Sequence, residues 1–206
     1  MFKAHFIIIF CFLSTAIFGQ TNPYEKDLIA VYDTIAAATD RGDWDKVLNF
    51  TYPKIFKIAP REKMRDLISS TFTDTSVMKF TVIKGHADSL SNDTLQIDNE
   101  LFVLLYDSKK MQIVMTEALS KPDEDHELLF NMMQASFEAS FGKDNVKLDK
   151  AKATFDIVKK KGTNLCSNIS PTRDKNSWTM MEVKFENPQL LNMVLSKEVI
   201  DWIKKH

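Results

Sequence analysis
Few side chains in this sequence have the chemistry to hold a metal or attack a substrate, and their spacing assembles no site. The 206 residues contain four histidines and two cysteines: His5, His86, His126, His206, Cys11 and Cys166. A metal needs several such ligands, or carboxylates, converging on one point, and no two of these histidines stand at helical or hairpin spacing. His126-Glu127 lacks the second histidine of a zinc-protease helix, because residue 130 is Phe. The acidic run from Asp123 to Glu127 lacks the glycine turn and distant glutamate of a calcium loop. It reads instead as the start of a helix, where the backbone dipole favours negative charge. No metal and no cofactor is expected.

Nucleophiles fare no better. There is no Gly-x-Ser-x-Gly elbow and no phosphate-cradling glycine loop, and five glycines leave little backbone for either. Cys166 lies between Leu165 and Ser167 with no histidine nearby to activate it, so it reads as a small buried hydrophobe. Lys159, Lys160 and Lys161 precede Gly162 and read as a solvated turn or edge guard. Acid–base work would require an inward carboxylate. Asp33, Glu100 and Glu117 are conceivable, but the spacing selects none, so no catalytic residue is assigned. The aromatics with a polar edge remain: Tyr32, Trp44, Tyr52, Tyr106 and Trp178. At helical or strand spacing such residues are first of all core. Their functional reading is as the lining of a pocket between helices and a concave sheet face. With 27 Lys and Arg against 28 Asp and Glu, the chain offers no excess of cations for nucleic acid.

The N-terminus reads as an address. Lys3 is followed by the apolar run from Phe6 to Leu13, then by Ser14, Thr15, Ala16, Ile17, Phe18 and Gly19, the parts of a secretory signal peptide. The stretch is too short for a span of ~20 residues. Cleavage after Gly19 is expected, leaving residues 20–206 as a single globular domain with no transmembrane span, periplasmic or extracellular. Cys166 would then be the one cysteine left, and export would supply no internal disulfide. Triplets starting at Asn49, Asn92 and Asn168 matter only in a host that glycosylates.

The elements that must position these side chains follow from periodicity. Leu28, Val31, Tyr32, Ile35 and Ala38 share a helical face over Tyr24–Asp40. Asp43 caps a short second helix carrying Trp44, Val47 and Leu48, which ends before Pro53. A third helix starts around Pro60. The period then falls to two: strands are expected over Val77–His86, over Leu95–Tyr106 and from Met111, with turns at Ser91–Asp93 and Asp107–Lys110. A long helix over Asp123–Phe141 stops at Gly142. Strands return at Ala151–Val158, Thr163–Ile169 and Trp178–Phe185, and Pro188 and Ser196 open C-terminal helical turns. The fold class is α+β: N-terminal helices packed on one side of a curved antiparallel sheet, with an inserted long helix and a C-terminal helix.

This order, with the connection Arg41-Gly42-Asp43-Trp44 between the first two helices, resembles the nuclear-transport-factor-2-like cone fold and its polyketide-cyclase-like relatives. The C-terminal end, with Trp178 to Glu182, then Asn187 to Leu190, then Lys197 to Ile200, is similar to uncharacterised secreted bacterial proteins. The long helix between strands and the helix after the last strand depart from the simplest cone. No catalytic residue of the enzymatic members maps onto this chain. The expectation is an exported, non-enzymatic domain that binds an apolar small molecule or an envelope protein. The alternatives are a cone-fold isomerase, dehydratase or cyclase, and a structural assembly role in the envelope.

Overall fold
A computed structural model of the chain describes residues 22–72, 78–116, 126–170, 175–185 and 188–206. The N-terminal address, Glu117, the acidic run through Asp125 and most of the turn after Pro171 lie outside the described residues. Three helices come first: α1 (Glu25–Asp40), α2 (Trp44–Asn49) and α3 (Arg61–Phe72), with a 3-10 turn over Pro53–Lys57 between the last two. Asp43 does cap α2, its carboxylate accepting from the Lys46 N–H at 3.1 Å. Two long strands, β1 (Lys79–Ile97) and β2 (Glu100–Val114), precede α4 (Glu127–Phe141). Then follow β3 (Val146–Asp149), β4 (Thr154–Asn168), β5 (Trp178–Glu182), α5 (Pro188–Val194) and α6 (Lys197–Ile203). The class is α+β. The sheet is antiparallel throughout and runs β1-β2-β4, with β3 paired to the first half of β4 and β5 to its second half. The free side of β5 is covered by the chain leaving α2: Tyr52 N donates to Met180 O at 3.0 Å, and Met180 N to Phe50 O at 2.7 Å.

The strand boundaries differ from the expectation in three places for one reason, and β3 is a strand that the periodicity did not predict. Polar stretches that look like turns are carried inside long strands, two of them as bulges, which let strands of this length bend. At Ser91–Asp93 the ladder is interrupted, and the Ser91 side chain replaces the missing backbone acceptor by taking the Leu104 N–H at 3.1 Å. The true hairpin turn is Asp98-Asn99, where Asp98 adopts φ 50°, a left-handed conformation that Asp and Asn tolerate better than most residues. Asp107–Lys110 is not a turn but continuous strand. Likewise Lys159–Lys161 lies within β4. Asp107 pairs with Gly162 and Lys109 with Lys159, so β4 spends an extra residue there, and Lys161 takes φ 59°.

Helices also cover both sheet faces rather than one. On the face carrying Leu101, Val103 and Leu105, α1 buries Leu28, Val31 and Tyr32 together with Cys166 and Trp178. Along the same face α4 packs Phe130 and Phe137 against Phe155, near Met111 and Ile113. The alternate residues Phe102, Leu104, Leu165 and Met181 point the other way and meet α5 and α6. Strand β2 is therefore buried on both sides, and its apolar residues are consecutive rather than alternating.

Candidate functional site
Between the α1 and α4 clusters the inner face turns polar. Asp107 continues the row Leu101, Val103, Leu105, yet it is a carboxylate at 1% exposure. Burying it demands partners, and α1 and β2 itself supply them. Tyr32 on α1 donates its hydroxyl to Asp107 Oδ2 at 2.8 Å. Lys109, two residues along β2 and so on the same face, places Nζ 3.1 Å from the same oxygen. Lys109 Nζ also lies 3.7 Å from Glu182 Oε2 on β5, and Glu182 Oε1 is ion-paired with Lys159 on β4.

Two glycines make this arrangement possible by lacking a side chain. Gly162, in register with Asp107, has the carboxylate directly over its Cα, and a Cβ there would overlap Asp107 Oδ1. Gly85 on β1, in register with Lys109, faces the Tyr32 hydroxyl, and a Cβ would lie 2.8 Å from that oxygen. Both glycines are required by close approach.

Above this polar row is a cavity of about 410 Å³. Its walls are Ile35, Ala36 and Thr39 of α1, Phe72 of α3, Phe80 and Val82 of β1, Met111 of β2 and Met180 of β5. Its polar end is formed by Tyr32, Lys109, Asn164 and Glu182, with Asp40 and Lys184 also in the lining. Asp107 is not part of the lining; it sits beneath it. Burial and the adjacent Asp107 carboxylate push the Tyr32 hydroxyl far above its ordinary pKa, so it keeps its proton. For Glu182, burial acts upward but is outweighed by Lys109 and Lys159, which hold its carboxyl below the usual range.

Of the five aromatics singled out from sequence, Tyr32 alone lines this cavity. Trp44 stacks on Phe72, ring centroids 5.1 Å apart, and Phe72 meets Phe80 edge-on at 5.2 Å, so Trp44 backs the wall without touching the space. Trp178 is fully buried beneath α1, edge-on to Tyr24. Tyr52 and Tyr106 belong to the opposite face. Tyr52 lies beside a second polar group, in which Glu100 accepts from Ser167 Oγ at 2.6 Å and Lys54 Nζ at 2.9 Å. Tyr106 donates to the backbone oxygen of His206 at 3.4 Å. Among the acids considered, Asp33 is exposed on α1 and Glu100 serves that second group.

Sequence reasoning missed Asp107, Lys109, Asn164 and Glu182. The available signal was the i, i+2 pair Asp107 and Lys109 in the otherwise apolar alternate row Leu101, Val103, Leu105, Met111 and Ile113, together with a glycine inside a second strand-like run. Among the described residues, no three His, Cys, Asp or Glu side chains converge on a point where a metal could sit. Compared with known proteins, the chain matches no family model, no curated protein and no solved structure.

Proposed function
We propose that this protein is an exported binding domain that holds a small, largely apolar molecule between α1, α3 and the sheet, without altering it chemically. The observation that carries this reading is the cavity of about 410 Å³, lined largely by carbon and with Tyr32, Lys109, Asn164 and Glu182 among its polar groups. That size and lining are those of small-molecule sites in general. Export rests on the basic start, apolar centre and small residues of Met1–Gly19. The cone-like architecture remains our reading of the long bulged sheet closed by α1, with α4 and the α5–α6 pair as additions to the simplest cone.

One observation favours a second reading. Tyr32 and Asp107, 2.8 Å apart beside the cavity, are the tyrosine-plus-carboxylate pair that an isomerase, dehydratase or cyclase would use. Against it, Asp107 lies beneath the lining, and both partners of its Oδ2 come from the protein itself. A bound molecule meets Tyr32 rather than the acid.

The test is the mass of the protein exported from a bacterial host, measured under native and then denaturing conditions. Loss of residues 1–19 together with excess mass that vanishes on denaturation is the expected result. A clean native mass, with no apolar dye taken up, would overturn the binding reading in favour of assembly or a protein partner. Conversion of an extracted ligand by wild type but not by Asp107→Asn would replace it with the enzymatic one.

A further inference from the structure
The lining of the cavity contains a hydrogen-bonding group that its own residues leave unmet. Asn164 is 4% exposed, stands in register with Leu105 on one side and Glu182 on the other, and lines the cavity. Its Nδ2 is buried without a hydrogen-bond partner. Asp107, diagonal to it on β2, lies beneath the lining, with Oδ2 held by Tyr32 and Lys109 and Oδ1 packed over Gly162, so the carboxylate that faces the cavity beside Asn164 is Glu182. Buried polar atoms are nearly always satisfied, so an unmet amide in a cavity lining calls for an explanation. The amide needs an acceptor, and the Glu182 carboxylate beside it takes a donor.

Chemistry narrows what fits. An anionic head would be placed beside Glu182, whose counter-charges Lys109 and Lys159 are already engaged, with Lys184 as the remaining cation of the lining. An ammonium head only donates and leaves Asn164 unmet, whereas a ketone or ether only accepts and leaves the carboxylate unmet. A hydroxyl does both.

We propose, building on the reading of this cavity as a small-molecule site, that its ligand is an uncharged alcohol. The apolar body lies against Phe72, Phe80, Val82 and Met111, and the hydroxyl accepts from Asn164 Nδ2 while donating to the Glu182 carboxylate, its register neighbour in the lining. Asn164 sets the preference for an alcohol over an ammonium head, and the carboxylate sets it over a ketone.

The protein is titrated calorimetrically with octanol, methyl hexyl ketone, octylamine and octanoate, which share chain length and differ in the head. Octanol is expected to bind about tenfold more tightly than the ketone, the worth of one net hydrogen bond. Asn164→Leu, which removes the donor that both accept from, is expected to weaken octanol and the ketone alike, about tenfold each, and to leave octylamine within about twofold. If Asn164→Leu does not fold, the wild-type rank order alone decides. Ketone, amine or carboxylate binding as tightly as octanol overturns the alcohol assignment and leaves the cavity reading standing. Binding of none of the four, with a clean native mass, overturns both.

Discussion

The Asp107 carboxylate on β2 occupies the space that a side chain at residue 162 on β4 would need. The two residues are register partners, and the acid is accommodated because its partner has no Cβ. Gly162→Ala therefore forces Asp107 away from Tyr32 and Lys109, and is expected to destabilise the protein by about 2 kcal/mol or more. Urea unfolding checks this. In the double variant Gly162→Ala, Asp107→Ala, the costs should be markedly less than additive, because the clash is removed with the carboxylate.

Removing the acid alone strands its partners. Asp107→Ala leaves the Tyr32 hydroxyl and the Lys109 ammonium facing a buried gap, and is expected to cost roughly 3 kcal/mol. Tyr32→Phe keeps the ring and deletes only one bond to the carboxylate, for about 1.5–3 kcal/mol. A Tyr32→Phe protein as stable as wild type in denaturant would show that the bond contributes nothing.

Alkaline pH is expected to weaken the fold through its buried tyrosines. Burial pushes Tyr52 up to about 12, with Lys54 opposing, and Tyr32 is raised further. An unfolded tyrosine titrates near ~10. Raised groups confer stability that is complete below the unfolded value and is lost as pH climbs beyond it toward the folded one. The melting temperature should fall progressively above about pH 10, and less steeply in Tyr52→Phe.

Acid acts through the glutamates. Burial pushes Glu100 upward, but Ser167 and Lys54 outweigh it and hold the carboxyl below its usual range, as Lys109 and Lys159 do for Glu182. Depressed groups stabilise above the unfolded value of ~4.3 and lose that contribution as pH falls through the folded one. Glu100→Gln should lower stability at neutral pH by about 1 kcal/mol and flatten the acid limb. An unchanged acid limb in calorimetry would refute the assignment.

Cys166 offers a reporter of unfolding. It is fully buried, and burial, with Asp107 adding to it, pushes its thiol far above the ordinary range. Reaction with a thiol reagent should be negligible in the native protein and complete in denaturant. Its rate should track global opening, and rapid labelling under native conditions would contradict the packing around β4.

The local features of this chain were legible in its sequence because they depend on neighbours a few residues away. The helical stripe of α1, the Asp43 cap of α2, the Gly142 stop after α4 and the Ser196 cap of α6 each follow from period and hydrogen-bonding valence. The antiparallel α+β class followed from the change of period. The site did not, because its parts lie on α1, β1, β2, β4 and β5 and become neighbours only through register. Asp107–Lys110 and Lys159–Lys161 are polar runs that locally favour turns. Pairing across three strands holds them extended, with the extra residue taken up at Lys160-Lys161. A lone Asp in a strand is indistinguishable in sequence from a turn residue. A tyrosine 75 positions away, a lysine beside it and a missing Cβ opposite made it a buried anchor beneath a cavity. Burial of charge is decided by what surrounds it in space, and only the tertiary structure brought those partners together.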